Sequence, residues 1–450
     1  MTECHGQKLF FSPLGRKQVG ADFSGGTLTS DAGGLLLREA ERRLGLVESL
    51  ARCLEDPRDP AKVRHEQKTM LAQRIFGIAL GYEDLNDHDR LRHDPLFSLL
   101  AEKRPSSAEP LASSPTLCRL ENRVDRGALW RMSEALLDRF LSSYSKPPRR
   151  LVLDFDATDD PVHGQQEGRF FHGYYDGYCF LPLYVFCEGR LLVSYLRPSG
   201  IDAAWHSRGV LKLLVERIRS KWPGVEIVVR ADSGFCRWRL MRWCDRNEVS
   251  YVLGLARNSV LERKASRLLR KAERDFETSG TKQRLFGEFV YGAATWERRR
   301  RVIVKAERLE KGPNLRFVVT NLAGLSPEQI YDGLYVGRGE MENRIKEQQL
   351  GLFADRTSCH RFLSNQFRLL LASAAFVLIE HLRRVGLRGS ELARAQVGSI
   401  RCKLLKIGAR VAVSCRRIVL HLSGAFPLRE LFARALARLL PSSALHLASP

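Results

Sequence analysis

The pattern of apolar and polar residues changes type twice along the chain. From Thr29 to about Tyr144 apolar residues recur at helical spacing, as in TSDAGGLLLREAERRLGLVESLARCL, where Ser30 or Asp31 would cap the first helix. The segment SYSKPPRR at 143–150 indicates a linker. Strand patterns follow it, and helical spacing returns in SPEQIYDGLYVGRGEMENRIKEQQLGLFA. The chain is therefore expected to have a mainly helical N-terminal region, an α/β middle and a helical end.

The middle of the chain predicts an ordered series of elements. LVLDFDAT indicates one strand, and FFHGYYDGYCFLPLYVFCEG and RLLVSYLRPSG indicate two more, joined by a tight turn at Glu188-Gly189. Alternating helices and strands follow in AAWHSRGVLKLLVERIRSKW, VEIVVRADS, CRWRLMRWCDRNEV and SYVLGLAR. The order β-β-β-α-β-α-β is that of the RNase-H-like fold. Residues 259–325 are basic and contain three plausible strands.

The charge balance points to a polyanionic partner. Lys and Arg total 73 against 51 acids, a formal net charge of +22, and residues 380–450 hold 13 Lys or Arg against 3 acids. Nucleic acid is the first candidate partner, and a merely basic soluble protein is the alternative. The apolar run LLLASAAFVLI has only 11 residues, too few to span a bilayer, so we expect no membrane partner. The start MTECHGQKLFF shows no signal-peptide pattern, and the ten cysteines form no C-x-x-C pair, which favours free thiols over zinc.

Four aspartates fall within seven residues in LVLDFDATDDP. Strand alternation places Asp154 and Asp156 on one face, opposite the apolar Leu151, Leu153 and Phe155. Two carboxylates on one face at the end of a strand would bind a hard cation through oxygen. The alternative is an exposed acidic turn, because Asp-Asp-Pro has turn chemistry.

Two further acidic points lie later in the chain. Asp232 ends the apolar strand of VEIVVRADSGFCRW, where α/β sites are usually built, although it would equally cap the following helix. In YVGRGEMENRIKEQQ five residues at steps of three, four, four and three would share one helical face: Tyr335, Arg338, Glu342, Lys346 and Gln349. The alternative is a solvated helix with a Glu342–Lys346 pair. Together, two strand-end aspartates and a helical glutamate can meet around two divalent metals, as a two-metal site for phosphodiester chemistry requires.

At these residues the sequence resembles bacterial insertion-sequence transposases of the DDE type. The motifs are LDFDATDDPVHG, GYYDGYCFLPLYVF, RADSGFCRW with YVLGLARN, YVGRGEMENRIKE and TSDAGGLLLRE, and the resemblance runs from about residue 20 to 440. It implies an α/β fold: an RNase-H-like mixed sheet flanked by helices. The implied regions are an N-terminal helical DNA-end-binding region 1–148, the core in two parts at 149–258 and 326–379, a β-rich insert at 259–325 and a basic C-terminal region 380–450.

The resemblance also implies the site residues. Asp156, Asp232 and Glu342 would be the catalytic residues and would hold two Mg²⁺ ions, for which Mn²⁺ would substitute; alternation alone does not separate Asp156 from Asp154. The signature Tyr, two residues, Arg, three residues, Glu, six residues, Lys fits at Tyr335 and Arg338, which would contact DNA. Its last position is Gln349 instead of Lys, and Lys346, one turn earlier, would take over the phosphate contact.

In related proteins the insert handles the DNA end, in some cases by stacking an extruded base on tryptophan. Trp296 would have this role here, with Arg298, Arg299, Arg300 and Arg301 as DNA contacts. The alternative is a core tryptophan on a strand, followed by a solvated arginine run.

The implied function is cut-and-paste transposition: metal-dependent cleavage at the element's ends, then strand transfer into target DNA, with no covalent protein–DNA intermediate. The alternatives are an RNase-H-like nuclease without strand transfer and an inactive transposase-derived DNA-binding protein. The implied partner is double-stranded DNA, both terminal inverted repeats and target, bound by a homodimer in the cytoplasm at the bacterial nucleoid. No small-molecule substrate is expected. End recognition is expected before residue 145, with phosphate contacts from the basic tail.

Overall fold

The computed structural model describes residues 8–105 and 109–441. The chain forms two compact units, one from residues 1–128, 351–353 and 374–450 and the other from residues 129–350 and 354–373. The first seven residues, with Cys4, and the last nine residues of the basic tail lie outside the described residues. The nine cysteines among the described residues are free thiols, as expected.

Strands and helices alternate through the second unit, whereas the first unit is mainly helical. The strands are β1 Leu9–Leu14, β2 Lys17–Ala21, β3 Leu28–Thr29, β4 Arg150–Ala157, β5 Asp160–Pro161, β6 Phe170–His172, β7 Gly177–Phe180, β8 Leu183–Cys187, β9 Arg190–Tyr195, β10 Glu226–Ala231, β11 Ser250–Leu255, β12 Gln283–Tyr291, β13 Arg300–Leu309, β14 Gly312–Thr320, β15 Ala409–Val413 and β16 Ile418–Leu422. The helices are α1 Gly34–Leu44, α2 Leu46–Ala51, α3 Gln67–Leu80, α4 His88–Leu91, α5 Pro95–Leu100, α6 Ser114–Asn122, α7 Arg126–Ser142, α8 Ser207–Lys221, α9 Trp238–Arg246, α10 Ser259–Ser279, α11 Pro327–Ile330, α12 Gly339–Lys346, α13 Phe362–His381, α14 Val397–Ile400 and α15 Arg429–Leu439.

The second unit is built on an eight-stranded sheet in the order β12-β13-β14-β11-β10-β4-β8-β9. Strands β4, β10 and β11 are parallel, β8 pairs antiparallel with β4, and β9 pairs antiparallel with β8. If β4, β8, β9, β10 and β11 are numbered 1 to 5 along the chain, their order across the sheet is 3-2-1-4-5. Helix α8 connects β9 to β10, and α9 connects β10 to β11. This is the RNase-H-like arrangement that the order of elements predicted. The carboxyl ends of β4, β10 and β11 therefore meet at one edge of the sheet.

Residues 259–325 divide into a long helix and three strands. Helix α10 occupies the first part, and β12, β13 and β14 extend the central sheet through the antiparallel pairing of β14 with β11. Since β11 is buried between β10 and β14, the added strands cover an edge that would otherwise expose unpaired backbone groups.

The aromatic stretch before β8 differs from the prediction of one long strand. The turn at Glu188-Gly189 does join β8 to β9, and both residues have positive φ, as a tight hairpin requires. The preceding FFHGYYDGYCF, however, forms β6 and β7 of a separate three-stranded sheet, in which β7 pairs with both β6 and β5. Asp176, at φ 51°, turns the chain there and ends the first strand early.

The first unit packs α3, buried along nearly its whole length, among the N-terminal helices. A small sheet in the order β16-β15-β3 joins the basic tail to the start of the chain. Strands β1 and β2 form an exposed hairpin that the helical pattern did not predict.

The helix spanning Phe362–Gly386 has the length and composition to cross a membrane, with a mean hydropathy of 1.6 in its apolar window. Of that window, 78% is buried inside the protein. Core helices of globular proteins share this composition, because a helix that is apolar on all sides is covered on all sides.

Candidate active site

Strand β4 separates apolar from acidic side chains. Leu151, Leu153 and Phe155 are fully buried in the main core of the second unit. Asp154 and Asp156 point to the opposite face, as strand alternation predicted. That face is covered by Ile330, Tyr331 and neighbouring apolar residues of the segment that begins with α11.

The neighbouring strand gives the two aspartates different partners. In the parallel register Arg230 of β10 lies beside Asp154, and Ala231 lies beside Phe155. The guanidinium of Arg230 donates to both carboxylate oxygens of Asp154, at 2.8 Å from Nη2 to Oδ2, and to the carbonyl of Leu334. Continuing the register by one residue sets Asp156 beside Asp232. Asp154 is therefore paired with a cation, whereas Asp156 has an acid beside it.

The third acid comes from an irregular helix over the same face. Between α11 and α12 the chain makes one π-helical turn at Tyr331–Tyr335 and a 3₁₀ turn at Val336–Arg338. Departures of this kind are frequent at functional sites. Arg338 lies 3.6 Å from Oδ2 of Asp156 and 2.5 Å from Oε1 of Glu342. Glu342 thus pairs with Arg338, not with Lys346 as the solvated-helix alternative proposed.

The electrostatics of Asp156 show that the three acids share one field. Burial raises the pKa of Asp156 to about 7, and the charges of Asp232 and Glu342 add to the rise, against the opposing effect of Arg338. Burial by itself would lower the pKa of Arg338, but the charges of Asp156 and Glu342 outweigh it and the pKa is raised. The site therefore holds excess negative charge at the carboxyl edge of the sheet.

Asp232 serves as a cap and faces the site. Its Oδ1 accepts a hydrogen bond from Gly234 N at 2.9 Å at the start of a 3₁₀ turn, the capping role considered as the alternative. Capping uses one carboxylate oxygen. Among the described residues Oδ2 has no hydrogen-bond partner, so the two roles are compatible.

Two glycines make the approach of the helix possible, and neither was singled out from the sequence. A Cβ at Gly254 of β11 would lie 2.6 Å from the Tyr335 hydroxyl and 2.8 Å from Ser233 N. A Cβ at Gly337 would collide with the guanidinium of Arg230. A glycine inside the strand pattern YVLGLAR is a signal of close backbone approach that would have identified Gly254.

Gln349 and Lys346 have different surroundings. Gln349 Nε2 donates to Asp160 Oδ1 at 2.8 Å and to the Asp159 carbonyl at 2.9 Å, which ties the helix to the turn after β4. Burial raises the pKa of Asp160 to about 8, so at neutral pH a neutral amide faces a largely protonated acid. Lys346 is exposed and has no ion pair with a described residue.

Trp296 lies in the loop between β12 and β13, not on a strand. Its half-buried ring packs edge-on against Tyr291, with centroids 5.5 Å apart, and against the main core. Of the four arginines that follow, three contact acids: Arg298 and Arg300 contact Asp245 at 2.8 Å and 2.5 Å, and Arg301 contacts Glu288. Arg300 is buried, and Arg299 is exposed.

The donor set fits a divalent cation by its chemistry. Three carboxylates in a shared field, one of them with a raised pKa, are the hard oxygen ligands that Mg²⁺ prefers. The geometry is not that of a closed metal cage, since no group of three or more metal-ligating side chains was found in residues 8–105 and 109–441. Arg338 instead supplies the positive charge between Asp156 and Glu342.

Comparison with known proteins identifies the family of the chain. A family model described as "Transposase DDE domain group 1" matches residues 11–444. No match was found among curated proteins. Seven chains of solved structures match; one belongs to a cryo-EM structure of the piggyBac transposase synaptic complex with hairpin DNA. Its TM-score is 0.42 at 10% identity, over 92% of this chain and 86% of that chain, which is too low a similarity to bear on function.

Proposed function

This chain belongs to the DDE transposase family, whose members act in DNA transposition, and we propose that it cuts DNA at the ends of an insertion sequence and joins the freed ends to target DNA. The observation that supports this most strongly is the shared field of Asp156, Asp232 and Glu342 at one edge of the sheet. A partly buried group of acids is costly to ionise unless a cation joins it. We assign the catalytic role to these three residues.

Asp156, Asp232 and Glu342 would hold Mg²⁺, or Mn²⁺ in its place, with two ions per site. When bound, such ions supply a deprotonated water as nucleophile and stabilise the charge that develops on the phosphate. Binding would require Glu342 to exchange its contact with Arg338. The guanidinium would then be free to hold a phosphate oxygen, for which its planar donors are suited.

Tyr335 is suited to binding and not to nucleophilic attack. Burial raises the pKa of Tyr335, and the charge of Asp232 adds to the rise, so the phenol stays protonated at neutral pH. A protonated hydroxyl donates a hydrogen bond to a phosphate oxygen but is a poor nucleophile. We therefore propose that Tyr335, Arg338 and Lys346 contact the DNA backbone and that no phosphotyrosine forms.

The partners follow from the reaction. The protein would bind the terminal inverted repeats and target DNA, and two copies would bring the two ends together as a homodimer. We place the protein in the bacterial cytoplasm, at the nucleoid, where both DNA substrates are found. Trp296 and the exposed Arg298 and Arg299 are assigned to the DNA end.

The test is Mg²⁺-dependent cleavage of DNA that carries the element's own flanking repeats, comparing wild type with Asp232→Asn. Asparagine keeps an acceptor for the cap at Gly234 but removes the charge. We expect cleavage to be lost while binding to the ends persists. Equal cleavage by both proteins would mean that Asp232 is only a cap, and the proposal would then be rejected. A second assay for joined products separates a transposase from a nuclease that cuts without joining.

A further inference from the structure

Helix α10 carries a one-sided row of positive charge, the α10 stripe. At 3.6 residues per turn its members fall within an arc of about 120° of the helix surface. All six are exposed: Arg263, Lys264, Arg267, Arg270, Lys271 and Arg274.

The other side of the helix fixes the direction of the stripe. Leu261, Ala265 and Ala272 are buried against β12, β13 and β14, nearly opposite the stripe. Glu262 and Glu273 lie on the flank of the helix, outside the arc. Asp275 and Glu277 lie about 20° beyond the two edges of the arc, and Nζ of Lys264 lies 5.7 Å from the centre of the Phe289 ring. The arc itself therefore holds cations and no acid.

The stripe is not neutralised by the protein itself. None of its six cations has an ion pair within 4.0 Å with a described residue. Helix α8 shows the contrast, because its Lys212 contacts Glu216 at 3.8 Å and its Arg217 contacts Asp138 at 2.6 Å. Six like charges at helical spacing repel one another by a few tenths of a kcal/mol per close pair, which an anionic partner would relieve.

Helix α10 starts shortly after the strand that packs against the candidate active site. Helix α10 follows β11, whose carboxyl end lies at the same sheet edge as the ends of β4 and β10. Gly254 of β11 packs against the Tyr335 hydroxyl and the Asp232 turn, and Asn258 caps the helix four residues later, with Oδ1 3.0 Å from Leu261 N. Arg263, the first cation of the stripe, therefore follows Gly254 by only nine residues.

We propose that the α10 stripe is a binding track for duplex DNA, holding the phosphates of one strand in the arm that leads away from the scissile bond. From Arg263 to Arg274 the helix rises about 17 Å, a length of duplex axis over which one strand carries roughly five phosphates, at about 3.4 Å of axis each. The position of the arm rests on the proposed function, whereas the affinity of the stripe for duplex does not require catalysis. The surface reads no sequence; it adds affinity and direction.

The test measures how binding depends on salt. Full-length protein is titrated against a fluorescein-labelled 30-bp duplex of arbitrary sequence, in EDTA, at several NaCl concentrations. In the variant Arg263→Gln/Arg267→Gln/Arg270→Gln we expect the slope of log K against log salt to become shallower by about 2.7, since each lost phosphate contact removes about 0.9. At 0.15 M salt this corresponds to roughly 100-fold weaker binding. Glutamine keeps helix propensity, and a circular dichroism melt verifies folding.

Two controls distinguish a DNA-binding track on α10 from an effect of the protein's overall positive charge. Arg52→Gln/Lys212→Gln/Arg217→Gln removes the same net charge from exposed cations that pair with acids, and its slope should change by less than about one unit. The conservative variant Arg263→Lys/Arg267→Lys/Arg270→Lys should retain the wild-type slope. A wild-type slope in the glutamine variant, or an equal loss in the paired-cation control, would overturn the proposal. Either result would leave the Asp232→Asn cleavage test unaffected, so the two failures are distinguishable.

Discussion

Asp154 and Asp156 lie two residues apart on one face of β4, but the structure gives them opposite environments. Asp154 is beside Arg230, which contacts both of its oxygens, and the pair is buried. Asp156 is beside Asp232 and approaches its nearest cation, Arg338, only at 3.6 Å. One aspartate has its counter-charge built into the fold, and the other has a place for one. The difference lies in one residue of β10: a strand that reads Arg230-Ala231-Asp232 supplies a cation and then an acid.

The largest effect is expected on catalysis. Asp156→Asn should lower Mg²⁺-dependent cleavage by at least about 1,000-fold, because a lost metal ligand removes several kcal/mol of transition-state stabilisation. The matched change is Asp154→Asn/Arg230→Gln, which neutralises the closed pair on both sides. Replacing both members of a buried pair is often tolerated, so this variant should keep cleavage within about tenfold. Single-turnover cleavage measures both, and equal loss in both variants would end the distinction.

Loss of the Asp154–Arg230 pair should affect stability more than it affects cleavage. Asp154→Asn alone leaves the Arg230 guanidinium buried with half of its contacts, and breaking one side of a buried pair costs about 3 kcal/mol. The urea midpoint of the second unit, followed by tryptophan fluorescence, should fall. The double change Asp154→Asn/Arg230→Gln should recover part of the loss. A midpoint unchanged in the single variant would show that the pair contributes nothing to the fold.

The pH dependence of stability tests the protonation of Asp156. The pKa of Asp156 is raised by burial to about 7 from an ordinary 3.8, so the stability linked to its protonated form is complete at low pH and is lost as pH rises through 7. Asp156→Asn removes this loss. In EDTA the variant should therefore gain about 2 kcal/mol over wild type between pH 5 and 6.5.

Added Mg²⁺ should reverse that order at pH 7.5, stabilising wild type and not the variant, since a cation binds the ionised carboxylate. Parallel pH profiles for the two proteins in EDTA would contradict the raised pKa.

Sequence reasoning succeeded where the cause is local. Strand alternation placed Asp154 and Asp156 on the same face, and the order of elements gave the RNase-H-like sheet. It did not separate the two aspartates, because their difference depends on the register between β4 and β10, strands about 76 residues apart. The same limit applies to Gln349, whose partner Asp160 is 189 residues away.

Local patterns also misled where turns decide the structure. The run FFHGYYDGYCFLPLYVFCEG has the composition of one strand, but Asp176 at positive φ breaks it and directs its first half into another sheet. Trp296 sits in a loop although its neighbours have strand composition, and Arg300 is buried beside Asp245 and Tyr251 instead of being solvated. For Arg300, contacts with residues 55 and 49 positions away fix the side chain.

The smallest effect is expected for a similar pair of residues at the end of α12, one paired within the protein and one exposed. Gln349 is closed by Asp160 and Asp159, whereas Lys346 is exposed, unpaired among the described residues, and one turn beyond Glu342. If Lys346 contacts a phosphate, Lys346→Ala should weaken binding of end DNA about fivefold at 0.15 M salt and make the salt slope shallower by about 0.9. Gln349→Ala should leave the slope unchanged and instead lower stability, since it strips a hydrogen bond from a buried acid. Fluorescence anisotropy at several salt concentrations measures the slopes. The opposite result would be a shallower slope in Gln349→Ala and an unchanged slope in Lys346→Ala. It would assign the phosphate contact to position 349, which holds lysine in the family signature, and would show that the Asp160 contact opens when DNA binds.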